Sequence, residues 1–384
     1  MIALETIDRY RTSFLGDLEQ IVKMNSFSSD KADVDRVGER IRDLLSEIGC
    51  DCRIQPGGEY GDSFACSMTG SGSTKIMLLA HIDTVHPRET AARMGYRIDG
   101  NILRGPGTVD MKAGLLVGVY VMRLLREEGY DGFGTITLVV NGDEEVGSPS
   151  SRDFIEGMAR EHDLVIVLEG ARTRREIIGT RKGVGRYEVT VEGRAAHAGV
   201  EPEMGRSALH ELAYQIIALQ ALNSPETGTT VNVCMAQSGV ATNVIPPAAT
   251  AVVDVRVLNA AEAERIDAAI RAQMERTTIP EVRCTVTGGF NRPPLEKIPV
   301  SAKLLSRTQE IAEHLGYPLT EIVMGGGSDG NFTAALGIPT LDGMGPDGGL
   351  SHSENEFLEL SSLWERMAIL IRVIEELSEK GLPK

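Results

Sequence analysis

The chain has no long hydrophobic run, few aromatic residues, no surplus of positive charge and no paired-cysteine motif, and each absence removes a class of protein. The longest apolar stretch, about Ala113 to Leu125, is interrupted by Gly118 and Tyr120. It is shorter than the roughly 20 residues a membrane-spanning helix needs, so it reads as a buried helix. Lysine and arginine number 39 against 55 aspartates and glutamates, a net charge of −16, and the acids are spread along the chain rather than gathered in a tail. That balance argues against nucleic acid or an acidic membrane surface as a partner. The five cysteines, Cys50, Cys52, Cys66, Cys234 and Cys284, are odd in number and form no CxxC pair. This speaks against a disulfide framework and for small buried hydrophobic thiols. At the N-terminus Ile2, Leu4, Ile7, Phe14, Leu15 and Leu18 lie among charged residues, which suits an amphipathic helix rather than a signal peptide and sets the expectation of a cytoplasmic protein.

What is present is the composition of a soluble α/β enzyme: 384 residues with 42 glycines, long enough for two domains. Up to about residue 180, helical patterns (4–24, 33–48 and 111–126) alternate with apolar strands (75–80, 135–141 and 164–168), an order that implies a largely parallel sheet. From about 183 the style changes to a compact α+β unit, with strands near 185–192, 230 and 249–257 and amphipathic helices near 206–222 and 261–276. After Asn291-Arg292-Pro293-Pro294 the α/β style returns. The expected fold is therefore α/β: a discontinuous catalytic domain (1–182 and 292–384) with a mostly parallel central sheet flanked by helices, and an inserted α+β lid or dimerisation domain (183–291).

The polar residues at the ends of the apolar segments carry the chemistry. His81 and Asp83 follow Ile76-Met77-Leu78-Leu79-Ala80, Asp110 stands at a junction before the buried helix, Glu144 and Glu145 follow Leu138-Val139-Val140, and Glu169 follows Leu164 to Leu168. Loops at the carboxyl ends of parallel strands converge on one crevice, so these residues can meet there. Two carboxylates about 5 Å apart repel by about 3 kcal/mol at an effective dielectric near 20, so gathering four of them calls for cations. Histidine and carboxylate ligands suit Zn²⁺, with Co²⁺ or Mn²⁺ also compatible. A lone His-x-Asp or Glu-Glu pair is more often structural, but their joint occurrence reverses those odds. His86, His162, His210 and His314 carry no such pattern.

The motifs LLAHIDTVHP (78–87), GTVDMKAG (107–114), NGDEEVGS (141–148), LEG (168–170), GRAAHAG (193–199), TNVIP (242–246), DVRV (254–257), GGGSDGNF (325–332) and GLSHSENE (349–356) resemble, in order and spacing, the M20-type metallopeptidases. That family includes glutamate carboxypeptidases, aminoacylases and acetylornithine deacetylases. The resemblance implies two divalent metal ions per chain: His81 and Glu169 would bind one, Glu145 and His352 the other, and Asp110 would bridge them. Asp83 would orient His81, and Glu144 would serve as general base toward an activated water. His197 would reach the site from the partner subunit of a homodimer formed through the inserted domain and steady the oxyanion.

Arg256 shares a strand face with Asp254, opposite Val253, Val255 and Val257, where its fork can grip a substrate α-carboxylate, with Asn243 as a second donor. Arg292 and the glycine turn around Gly326 match family positions near the substrate. The triple glycine is followed by no Lys-Ser/Thr, which argues against a phosphate cradle. The resulting expectation is a carboxypeptidase that releases a C-terminal amino acid such as glutamate from a small peptidyl or N-acyl substrate, the GGGSDGNF and TNVIP stretches resembling the glutamate carboxypeptidase branch. An N-acyl-amino-acid deacylase would share every catalytic residue. A non-catalytic metal-dependent binding protein would keep the ligands but need not keep Glu144, so its presence beside Glu145 favours catalysis.

Overall fold

A computed structural model describes residues 2–171 and 175–383. The chain divides into two compact units: one comprises residues 1–179, 297–323 and 328–384, the other residues 180–296 and 324–327.

The first unit is built on a six-stranded sheet. Helices α1 (Arg11–Lys23) and α2 (Lys31–Ser46) precede the strands β1 (Asp51–Gln55), β2 (Gly61–Thr69) and β3 (Lys75–His81). After a short strand β4 (Ile102–Arg104) come helix α3 (Ala113–Glu127), strand β5 (Thr135–Gly142), helix α4 (Arg152–Arg160) and strand β6 (Leu164–Val167). The sheet order is β1-β2-β5-β3-β6, followed by the two-residue strand Thr340–Leu341. The strands β5, β3, β6 and 340–341 run parallel, whereas β1 and β2 are antiparallel to their neighbours. The central sheet is thus mostly parallel, as expected, but the hairpin β1–β2 departs from the expected simple alternation.

Burial explains why the central strands read as continuous apolar runs. Ile76, Leu78, Leu138, Val140 and Ile166 pack toward α3, while Met77, Leu79, Val139, Val165 and Val167 pack toward Phe154, Ile155 and Met158 of α4. A parallel sheet covered on both faces has no face on which to place polar residues. Helix α3 is the apolar stretch noted above and is buried along most of its length. Among the described residues no helix is long and apolar enough to cross a membrane.

The thiol expectation needs correction. Cys52 on β1 stands directly opposite Cys66 on β2, and the two form a disulfide. Hairpin register, not sequence spacing, brings them together, which is why counting cysteines did not show it. Cys50, Cys234 and Cys284 are free thiols.

The second unit is an antiparallel four-stranded sheet, β7 (Gly183–Glu192), β8 (Thr230–Ser238), β9 (Ala248–Val257) and β10 (Arg283–Arg292), in the order β8-β9-β7-β10. Helices α5 (Ala208–Gln220) and α6 (Ala260–Met274) complete it. Ser207 and Asn259 cap these helices by accepting from the backbone N–H of His210 and Glu262. Ala249, Ala251, Val253, Val255 and Val257 alternate into a core with Leu212, Leu219, Ile266 and Ile270. The first unit is completed by helix α7 (Pro299–His314), strand β11 (Phe357–Glu359) and helix α8 (Leu360–Lys380).

Candidate metal centre

Strand order decides what meets at the end of the sheet. Because β5, β3 and β6 are parallel neighbours, with His81 paired to Asn141 and Leu79 to Val167, their carboxyl ends present His81, Glu144-Glu145 and Glu169 side by side. Asp110 comes from the irregular turn Thr108–Lys112 before α3. His352 comes from a loop in which its backbone adopts φ 63°, a left-handed conformation uncommon for a residue with a side chain and frequent at functional sites.

The contacts form two triads that share one carboxylate. His81 Nε2 lies 3.2 Å from Asp110 Oδ1 and 3.3 Å from Glu169 Oε1. His352 Nε2 lies 3.3 Å from Asp110 Oδ2 and 3.1 Å from Glu145 Oε2. In each triad one ligand atom per residue can be chosen so that all lie within 4.8 Å of one another. His81 Nδ1 is 3.0 Å from the carbonyl oxygen of Asp83 and donates to it, which turns the lone pair of Nε2 toward the acids. A lone pair facing carboxylate oxygens is tolerable only with a proton or a cation between them.

The proton affinities record that conflict. Burial alone would make His81 harder to protonate, but its bonds to Asp110, Asp83 and Glu169 outweigh this and hold its pKa well above the ordinary histidine value. Asp110 and Glu145 bonds raise His352 to about 11. Burial would raise Asp110, yet His352 and His81 hold it below the usual carboxylate range. Burial, with the charge of Asp110, pushes Glu145 up to about 7 against the opposing pull of His352. Donors of one imidazole nitrogen and two carboxylate oxygens per triad, without sulfur, fit Zn²⁺, Co²⁺ or Mn²⁺.

A shell of buried groups holds these ligands. Asp83 accepts from the backbone N–H of Glu144 at 3.1 Å and of Glu145 at 3.2 Å, and from Ser28 Oγ at 2.7 Å. One carboxylate therefore fixes the turn that bears the glutamate pair beside the imidazole whose Nδ1 its own backbone holds. Asp143, fully buried, accepts from the N–H and hydroxyl groups of Ser150 and Ser151 and anchors the far side of that turn. The peptide before Glu169 is enclosed by glycines: a Cβ at Gly114 or Gly345 would stand 2.0 or 2.1 Å from the Leu168 carbonyl oxygen. Sequence reading passed over Ser28, Asp143 and Glu356; Asp143 and Glu356 lie inside site motifs, whereas Ser28, far from any of them in sequence, gave no signal.

In the second unit the remaining candidates fall into separate places. The His197 loop is joined to the Asn243 loop by a backbone bridge, Ala198 N–H donating to the Asn243 carbonyl at 2.9 Å, and both side chains are exposed. Arg256 pairs with Asp254 on its own strand face, Nε to Oδ1 at 3.0 Å and Nη2 to Oδ2 at 2.9 Å. Arg292 is buried, and a Cβ at Gly327 would stand 2.8 Å from its Cδ. The carbonyl oxygen of Gly326 faces Arg181 Nη1 at 3.4 Å.

Two histidines and several carboxylates gathered beside the ends of a parallel sheet form a candidate metal centre. The chain belongs to the M20 peptidases: peptidase family M20/M25/M40 matches residues 77–376. It is 30% identical over 371 residues to carboxypeptidase G2 of Pseudomonas sp. (strain RS-16), covering 94% of this chain and 88% of that one. Its fold is similar to that of aminopeptidase PepT from Bacillus cereus, with a TM-score of 0.79, 22% identity, and 98% and 99% of the two chains covered. It is also similar to the Bacillus subtilis YXEP protein, a dinuclear metal binding peptidase of the M20 family, with a TM-score of 0.73, 17% identity, and 97% and 99% covered.

Proposed function

We propose that this protein is a two-metal carboxypeptidase that releases a C-terminal amino acid such as glutamate from small peptidyl or N-acyl substrates. The observation that carries the reading is the pair of triads sharing Asp110, with Glu144 next to a ligand on the same turn. The name and extent of the relative from Pseudomonas support the carboxypeptidase choice. Residues 1–182 and 292–384 are assigned the catalytic role, and 183–291 the part of lid and dimerisation element.

His81 and Glu169 would hold one ion, Glu145 and His352 the other, and Asp110 both. Two such ions, most simply Zn²⁺, would activate water and polarise the scissile carbonyl. Asp83 keeps His81 in the tautomer that presents Nε2. Glu144 takes the proton of the attacking water and returns it to the leaving amine. His197, supplied by the partner subunit, donates to the oxyanion, and Asn243, Arg292 and the turn at Gly326 line the substrate.

Arg256 would grip the α-carboxylate. Asp254 holds its Nε edge, and Nη1 makes no other bond among the described residues, so one edge of the fork remains for substrate. Arg256→Ala is expected to raise KM about 10- to 100-fold for substrates with a free α-carboxylate, the worth of a charge-assisted pair, and to change KM little for their amides. Steady-state kinetics on matched acid and amide substrates checks this; equal effects on both would remove Arg256 from the pocket.

A homodimer through the inserted unit is part of the proposal. Strand β8 is a sheet edge, and Leu209 (48% exposed), Ile217 (69%) and Met235 (57%) place apolar surface on α5 and β8, a combination suited to pairing with a second copy. Ile217→Lys is expected to shift the protein from dimer to monomer in sedimentation equilibrium and to lower turnover, since His197 would lose its partner site. A fully active monomer would sink both ideas. The cytoplasmic location is retained in the proposal; the Cys52–Cys66 bridge is the observation against it, and cell fractionation decides.

The founding test is metal analysis with a hydrolysis screen in Zn²⁺ or Co²⁺ that compares dipeptides, N-acyl-glutamates and N-acetyl-amino acids. About two ions per chain with glutamate release supports the carboxypeptidase reading. Preference for acetyl substrates would assign the chain to the deacylases, and metal without turnover to binding proteins.

A further inference from the structure

Asp110 and His352 lie on different segments of the chain; Asp110 belongs to both triads, and the second triad also needs His352 beside it. Pairing of β11 with β4, Phe357 opposite Arg104, brings the two segments side by side. The ladder stops there. Beyond it, the backbone N–H groups of Gly107, Val109 and Asp110 point into the space beside residue 356, where the acceptor is a side chain.

That side chain is Glu356, 1% exposed and four residues after His352. Its Oε1 accepts from Val109 N–H at 2.8 Å and from Asp110 N–H at 3.2 Å, and its Oε2 from Gly107 N–H at 3.0 Å. His86 Nε2 lies 3.1 Å from Oε2. A buried carboxylate with this many donors is fully satisfied and rigid. Its own backbone N–H donates to Ser353, which turns the loop back toward His352.

We infer that Glu356 is a positioning residue that locks the Asp110 turn to the His352 loop, so that both metal triads depend on it. The inference rests on the two-metal reading above. It also specifies why a carboxylate is needed. A glutamine has one acceptor oxygen and one donor NH₂, and each Glu356 oxygen meets at least one backbone N–H, which cannot become an acceptor. Either amide orientation therefore sets donor against donor. Aspartate keeps the charge but is one methylene short of reaching both Gly107 and Val109.

The test is Co²⁺ binding to the purified full chain, followed by calorimetry and by the visible spectrum of the bound ion. The wild type is expected to take up two Co²⁺. In Glu356→Gln both affinities should fall together by about 10- to 100-fold, the usual effect of losing a group that orients metal ligands, with an unchanged far-ultraviolet circular dichroism spectrum. Glu375→Gln is the control for mere destabilisation: Glu375 is a buried carboxylate on α8 outside both triads. It should lower Tm without altering Co²⁺ affinity. If the glutamine variant does not fold, Glu356→Asp carries the test, with a loss of about tenfold. Wild-type affinity in the folded Glu356 variant, or a loss no greater than that of Glu375→Gln, overturns the inference. A wild-type chain that binds fewer than two Co²⁺ overturns the two-metal reading itself, and is told apart because it needs no variant.

Discussion

Glu144→Gln should keep its metal and lose nearly all turnover, with kcat lower by about 10³-fold or more, toward the upper end of what a general base contributes. That loss corresponds to about 4 kcal/mol of transition-state stabilisation. The amide is the same size as the acid but cannot accept the proton of the attacking water. The turn should survive, because Glu144 is held through its backbone N–H to Asp83 Oδ1, and Glu145 through its own to Oδ2. Metal content by plasma emission and kcat on an N-acyl-glutamate check the two halves separately. Wild-type turnover would remove Glu144 from the proton path, and loss of metal would show that it acts as a ligand.

Asp110→Asn is the second large effect, and it separates a shared ligand from an ordinary one. Each oxygen of Asp110 faces a different histidine, Oδ1 toward His81 and Oδ2 toward His352. Asparagine leaves one side facing an NH₂ and removes a charge from both sites. The expected result is a fall in tightly bound metal from two ions toward none, with activity at least about 10³-fold lower, since the activated water is lost with the metals. Glu169→Gln, at a member of the His81 triad, should weaken one ion and spare the other. If Asp110→Asn removes one ion only, Asp110 is not the bridge.

Much of the candidate site was legible because its histidine and carboxylates stand at the ends of apolar segments, where pattern and chemistry lie next to each other in the sequence. His81 is the last residue of a buried strand, and Glu145 and Glu169 each follow one by no more than a few residues. Asp110 was placed correctly before α3, although the short strand preceding it belongs to a different sheet. The hairpin β1–β2 was missed: Asp51–Gln55 is mostly exposed, and its polar residues show no apolar run. The strand period put Arg256 and Asp254 on one face, and there the two pair.

The sequence by itself determined the candidate residues for this protein's chemistry, those whose types suit a cation or a moving proton, and an α/β order with a change of style in the middle of the chain. Those follow from residue type and short-range periodicity. Only the tertiary structure decided the geometry that brings the candidate ligands together. Asp110 standing between His81 and His352, Glu356 reaching back 246 residues to the Asp110 N–H, and Cys52 facing Cys66 all depend on strand order and register. Register is set by the packing of whole faces, so no local stretch of sequence records it.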